Sequence, residues 1–526
     1  MSSLARATAL MTVGTVFSRL TGLLRIAAIA AALGVVESGR LTDTYNLANT
    51  APNIIYELAL GGILTSVFVP LFVELLEKEG RERAWQVASA IINVSLAVLV
   101  ALSAIVIVAA PWIAKFYSAA GSEQEAALTF LLRLFIPQII FYGLTAITSG
   151  LLNAHKRFGA PMYTPILNNL AVVAVFLAFK AAYESVSLDD ITNSQLLIIG
   201  LGTTTGVALM AIAQIPFLRG LGKYQLTFSM KHPSLRKLAR LSVFVIGYVA
   251  VNQLGYLVVQ YLAKENVGAY TAYTWAFIFF ILPHGLFSVS IITALLPGMS
   301  EHAVNQRWDE FRQRLSIGIR STVLLILPAA IGFFVLGEPI VRFLLERGVM
   351  TARSTDLIAD VLRFFVIGLV PFSIFQLMLR AFYAMQDTRT PFVINTAAVV
   401  LNTIFNLLVF DSLGVKGLAL GHALAYIFGA LVQARVLGRR IGGLDSGRIL
   451  NSAARISVAA AAMGAVVYAV SRAIETGIEP DGSIEEALAI AVPVVAGLGT
   501  YLLLGRILRI SELDQVWGLL RRRVGR

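Results

Sequence analysis

The chain has no cysteine and only five histidines among 526 residues. Without thiols there is no disulfide framework, no thiolate metal site and no cysteine nucleophile. The histidines show no H-E-x-x-H or paired spacing, so no zinc site is supported. A Walker-type phosphate loop is also missing, which excludes ATP hydrolysis by that route. Charge is scarce, at 14% against about 25% in a typical soluble protein. No polar stretch is long enough to bury a core, so a separate soluble domain is not expected.

What fills the chain instead is hydrocarbon. It is 57% hydrophobic with a mean hydropathy of +0.79. Apolar runs of roughly 20 residues recur throughout, as in a polytopic membrane protein. Fourteen spans are predicted, at about 7–34, 42–77, 84–110, 123–153, 161–184, 194–218, 236–263, 267–300, 308–336, 353–384, 391–411, 415–438, 449–473 and 482–505. The first is read as a span, not a signal peptide, because Arg19 and Arg25 interrupt it and no small-residue cleavage site follows. An even count puts both termini on one side. Of the 42 Lys and Arg residues, 28 fall on the side of the termini, nine on the other and five within spans. Lys and Arg near span ends mark the cytoplasmic side, so both termini are expected there. The net charge of +12 is then a membrane-orientation signal and does not point to nucleic acid.

The spans repeat. FLLRLFIPQIIFYGLTAITSGLLNAHKRFGAP, ending at Pro161, parallels DVLRFFVIGLVPFSIFQLMLRAFYAMQDTRTP, ending at Pro391, at an offset of 230. Pro70 likewise echoes Pro297, at 227. The predicted fold is therefore an all-α polytopic membrane protein of about fourteen transmembrane helices. Two six-helix repeats are related by a pseudo-two-fold along the membrane normal, and two extra C-terminal helices follow. The expected divisions are 1–220 for the N-terminal lobe, 221–240 for a basic cytoplasmic linker read as a surface helix, 241–440 for the C-terminal lobe, and 441–526 for the two extra helices and a basic tail. The tail from Ser511 to Arg526 reads either as an amphipathic helix or as a solvated basic tail. Two parallel halves are a transporter architecture, with the substrate site expected where the halves meet.

The polar residues inside spans 1 and 2 are the candidate site. An intramembrane charge survives only when it faces a bundle interior or a water-filled cavity. Arg19 and Arg25 suit phosphate, through planar bidentate contacts; snorkelling or pairing with a carboxylate is the plainer alternative. Asp43 reads as a gate residue, an arginine partner or an ordinary helix-start acid. Glu57 reads as an ion-pair partner of an arginine or as a protonatable group. Asn53 follows Pro52, which bends the helix. On span 11, Asn402 and Asn406 share a face and form a candidate monovalent-cation site; interhelical hydrogen bonding is the alternative.

FSRLTGLLR at Phe17 to Arg25 and TDTYNLANTAPNIIYEL at Thr42 to Leu58 resemble the MurJ/MviN family of the multidrug/oligosaccharidyl-lipid/polysaccharide exporter superfamily. So do LLNAHKRFGAP at Leu151 to Pro161, LPHGLFSVSIITALLP at Leu282 to Pro297 and RAFYAMQDTRTP at Arg380 to Pro391. The resemblance implies a flippase, not an enzyme, that moves lipid II, the undecaprenyl-diphosphate-linked peptidoglycan precursor. Movement runs from the inner to the outer leaflet of the bacterial cytoplasmic membrane, by alternating access. It implies that Arg19 and Arg25 hold the diphosphate and headgroup, and that Asp43 is the family's acid near the start of helix 2. Three departures stand out. About Ile278 replaces an arginine of helix 8, Tyr56 and Glu57 stand where basic residues are usual, and Asn402 and Asn406 replace an Asn and an acid on helix 11. No cofactor is expected; the drive would be membrane potential or a monovalent cation gradient. Expected partners are lipid II, membrane lipids and proteins of cell-wall synthesis or division. The alternatives are an ion-coupled multidrug antiporter, a flippase for another polyprenyl-linked glycan, and a non-transporting scaffold.

Overall fold

In the computed structural model the chain is described over residues 3–61, 68–118, 121–229, 233–477 and 482–513. The described residues form helices joined by short links, with no strand among them. In order these are α1 (Ser3–Leu33), α2 (Leu41–Tyr56), α3 (Val69–Lys78), α4 (Gly80–Tyr117), α5 (Glu123–Phe135), α6 (Gln138–Ala154), α7 (Gly159–Ala182), α8 (Asn193–Ile212) and α9 (Pro233–Ala263). They continue with α10 (Ala269–Pro283), α11 (Val289–Val304), α12 (Trp308–Leu345), α13 (Ala352–Val366), α14 (Leu369–Ala384), α15 (Arg389–Leu413), α16 (Val415–Arg440), α17 (Ser446–Gly477) and α18 (Ser483–Ile507).

Among the described residues, eleven helices are long and apolar enough to cross a membrane. The pair α13 and α14, bent by 51°, makes twelve if counted as one span. The other two predicted spans correspond to α2 with α3, and to α9. Span 2 is interrupted: α2 is only 16 residues long and passes into a π-helical turn at Glu57–Gly61. Span 8 carries the same device, a π turn at His284–Ser288 between α10 and α11. The two turns are 227 residues apart, the offset that relates Pro70 to Pro297.

Lipid solvation favours apolar side chains outward and lets small or polar ones face inward. On α15, Val400, Ile404, Leu407 and Leu408 are exposed while Asn395, Ala398 and Asn406 are buried.

By contact the chain divides into two units. Unit 1 comprises residues 1–271 and 347–354; unit 2 comprises 272–346 and 355–526. In unit 1 the ring of Tyr45 packs edge-on against Phe135 and Phe176. In unit 2 the core joins α12, α14, α16 and α17 through residues such as Phe311, Leu315, Phe375, Phe382, Leu437 and Ile456.

The linker departs from expectation. Residues 222–229 are not helical, and the following helix α9 begins at Pro233. The stretch runs beside α4, whose side chains take up its backbone groups. Asn93 Nδ2 donates to the carbonyls of Gln225 (3.1 Å) and Thr227 (2.8 Å), and Ser89 Oγ accepts from Gln225 N–H (3.1 Å). Those side chains replace the intrahelical bonds that a surface helix would have supplied. The tail from residue 514 onward lies outside the described residues.

Candidate substrate-binding site

Arg19, Arg25, Asp43, Asn53 and Glu57 all belong to unit 1. Helix α1 turns one face to α7, where Asn169 Nδ2 donates to Ser18 O (3.2 Å) and Thr21 Oγ1 (3.1 Å). Arg19 is exposed and Arg25 half-buried. Arg25 Nε is shielded from solvent and has no hydrogen-bond partner. Among the described residues no carboxylate is bonded to the guanidinium, and Tyr45 and Tyr142 make their hydrogen bonds elsewhere. Tyr45 Oη shares a hydrogen bond with Thr203 Oγ1 (2.9 Å). Tyr142 donates to Gln138 Oε1 (3.2 Å), and Gln138 Nε2 donates to Thr204 Oγ1 (3.0 Å). This polar seam through α2, α5, α6 and α8 was not among the candidates. Its only trace in the sequence is that Gln138, Thr203 and Thr204 interrupt otherwise apolar spans. A guanidinium with an unmet donor has the chemistry to hold an anion.

Glu57 is half-buried where α2 gives way to the π turn, and Asn53 is exposed one turn earlier. Among the described residues Glu57 makes no ion pair, so it does not neutralise Arg19 or Arg25.

Asp43 stands in the first turn of α2, as the helix-start reading expects, and also has a task at a second helix. Its carboxylate is 3% exposed and fully engaged. Gly268 N–H donates to Oδ2 (2.7 Å); Thr271 donates to Oδ1 from both N–H (2.9 Å) and Oγ1 (2.6 Å). These groups open α10, so Asp43 caps the N-terminus of a helix more than 220 residues away, where partial positive charge gathers. Asn46 supports the cap by donating to Thr271 Oγ1 (3.0 Å). Neighbouring links extend the clasp. Arg40 donates to the carbonyls of Lys264 and Glu265. Glu37 accepts from Thr351 N–H (2.9 Å), Thr351 Oγ1 (2.5 Å), Ser354 Oγ and Val35 N–H (2.8 Å). Burial pushes the Glu37 carboxyl up, but these bonds from Thr351, Ser354 and Val35 outweigh it and hold the pKa below its ordinary 4.5.

Asn402 and Asn406 do meet, in unit 2: Asn406 Nδ2 donates to Asn402 Oδ1 at 2.5 Å. Asn406 Oδ1 is buried without a hydrogen-bond partner and faces the backbone of Gly421, where an added Cβ would lie 2.1 Å from it. Among the described residues no group of three or more His, Cys, Asp or Glu side chains could hold a metal.

A family sequence model described as lipid II flippase MurJ matches residues 29–479. The chain belongs to the lipid II flippase MurJ family. Curated relatives include a probable lipid II flippase MurJ of Rickettsia prowazekii, 30% identical over 418 residues, covering 78% of this chain and 79% of the relative. One from Rhizobium meliloti is 28% identical over 461 residues, covering 86% and 84%. One from Thermotoga maritima is 26% identical over 519 residues, covering 98% and 99%. The fold is that of a solved lipid II flippase MurJ in an inward closed conformation, with a TM-score of 0.76 at 24% identity over 95% of this chain and 98% of the other. A multidrug resistance MATE transporter shares the fold at a TM-score of 0.66 and 12% identity, covering 81% of this chain and 94% of the other. The matched residues include the Asp43 cap, whereas Phe17 to Arg25 precede them.

Proposed function

We propose that this chain is a lipid II flippase. It carries the lipid-linked peptidoglycan precursor from the inner to the outer leaflet of the bacterial cytoplasmic membrane by alternating access, and it breaks no covalent bond. The observation that carries the reading is the MurJ family match over most of the chain. The unneutralised Arg25 supplies the chemistry. A guanidinium kept partly dry binds a diphosphate more strongly than it would in water, because the local dielectric is low. In this reading Arg25, with the more exposed Arg19, takes the diphosphate while the polyprenyl tail stays in lipid along α17 and α18. Both termini are assigned to the cytoplasm on the distribution of Lys and Arg. The drive is assigned to membrane potential or a monovalent cation gradient; a potential of about 100 mV supplies about 2.3 kcal/mol per charge moved.

An antiporter for cationic drugs would need acids free to exchange protons or ligands. Asp43 has both oxygens committed to α10, which among the described residues leaves Glu57 as the one free acid of the site beside two arginines and favours the anionic substrate. The test is depletion of the native protein and rescue with wild type or Arg25→Ala, with outward-facing lipid II as the readout. Wild type restores surface lipid II and a folded Arg25→Ala does not. If depletion leaves surface lipid II unchanged, the reading fails.

A further inference from the structure

A second cationic feature lies in unit 2, away from Arg19 and Arg25. The first turns of α17, the chain just after α18, and α12 enclose a polar cavity of about 360 Å3. Arg320, Arg448, Ser452, Arg455, Arg509 and Glu512 line it. Internal pairing uses only part of this charge. Arg320 pairs with Glu512, both largely buried. Arg455 donates to Asn451 Oδ1 (2.9 Å) and to the carbonyls of Leu508 (3.1 Å) and Arg509 (3.2 Å). Arg448 is 72% exposed and 3.7 Å from Asp445, too long for a hydrogen bond. Arg509 has no ion-pair partner among the described residues. Two donors are dry and unpartnered: Ser452 Oγ, on a residue 9% exposed, and Arg320 Nε.

Four guanidinium groups against two carboxylates, Glu512 and Asp445, with unmet donors at the base, call for an anion that presents several oxygens. Arginine forks match phosphate in this way. The level of the cavity narrows the source. Arg448 stands at the start of the span Ser446–Thr476, and Arg509 just past the end of Ile484–Ile507. Both therefore sit where headgroups meet hydrocarbon. Beside them the exposed side chains are apolar: Leu450 is 68% exposed, Val458 58%, Leu503 61% and Ile507 63%. A free phosphate would have no use for that stripe, whereas an acyl chain would lie along it.

We propose that this cavity binds the phosphate of an anionic phospholipid, held by Arg448 and Arg509 over Ser452, with its acyl chains against α17 and α18. The proposal does not rest on the lipid II reading, although that reading lays a lipid tail along the same two helices. Binding of phosphatidylglycerol, phosphatidylcholine and inorganic phosphate is measured by native mass spectrometry on the full chain. Wild type is compared with the double substitution Arg448→Ala and Arg509→Ala and with the paired Lys substitutions. Wild type is expected to retain phosphatidylglycerol at least about fivefold better than the Ala double variant. Phosphatidylcholine binds both weakly, the Lys pair recovers part of the difference, and millimolar inorganic phosphate does not displace the lipid. Equal retention by the Ala double variant overturns the site. Displacement by inorganic phosphate overturns the lipid assignment. Should the Ala variant misfold, hydrogen exchange on wild type decides: phosphatidylglycerol must slow exchange in 446–455 and 506–513, and unchanged exchange there overturns the proposal.

Discussion

Asp43 accepts three hydrogen bonds from two residues, Gly268 and Thr271, and two of the three come from Thr271 alone. A side chain at the start of α2 thus completes the start of α10. Removing the carboxylate strands two buried backbone N–H groups, each costing about 1–3 kcal/mol. Asp43→Ala is expected to lower the midpoint of thermal unfolding in detergent by several degrees. Asp43→Asn keeps an acceptor and falls in between. Equal midpoints for wild type and Asp43→Ala would sink the capping account.

Glu37 gives the clasp a pH dependence. Its folded pKa lies below the ordinary 4.5, so its stabilisation is complete above pH 4.5 and fades as pH drops through the lower folded value. The gap in unfolding midpoint between wild type and Glu37→Gln should be constant from pH 8 to pH 5 and close below that. A gap that widens on acidification contradicts the assignment.

Gly368 caps α14 at the 51° bend after α13. A Cβ there would lie 2.6 Å from the Cα of Ala423 on α16. Backbone cannot yield as a flexible side chain does, and overpacking of this kind costs about 1–3 kcal/mol. Gly368→Ala should therefore lower the unfolding midpoint, whereas Gly332→Ala, with no atom within 4 Å of the added carbon, should not.

Asn402 Oδ1 is taken by Asn406 Nδ2 at 2.5 Å, which leaves only Asn406 Oδ1 without a partner, too few oxygens to replace a cation's hydration shell. Replacing external Na+ by K+ is expected to leave rescue of a depleted strain unchanged. A requirement for Na+ that Asn406→Leu abolishes would instead give these residues to a cation.

Much of this was legible from periodicity. Twelve of the fourteen predicted spans fall on helices, or a bent helix pair, long and apolar enough to cross a membrane, because lipid imposes a long apolar run. The internal repeat reaches further still: Lys156 and Gln386, related by the offset of 230, both adopt positive φ, at 60° and 59°. What stayed hidden was non-local. Nothing near Asp43 in sequence announces a partner beyond residue 260, and helix capping is ordinarily sought within one turn. The seam at Gln138 and Thr204 was hidden for the same reason, since single polar residues in apolar spans acquire meaning only from what packs opposite. The extended course of 222–229 follows from Asn93 and Ser89 on α4, which a composition argument does not weigh.

The π turn at His284–Ser288 has an evolutionary corollary. Each α-helical residue advances the helix by about 100°, so deleting one from most of this span would swing every later side chain off its partner. A π turn already holds one residue more than the regular ladder needs. Deletion there restores an ordinary helix and leaves both flanks facing as before. It is the one region between α10 and α11 where the gene can lose a codon and keep its hydrophobic register.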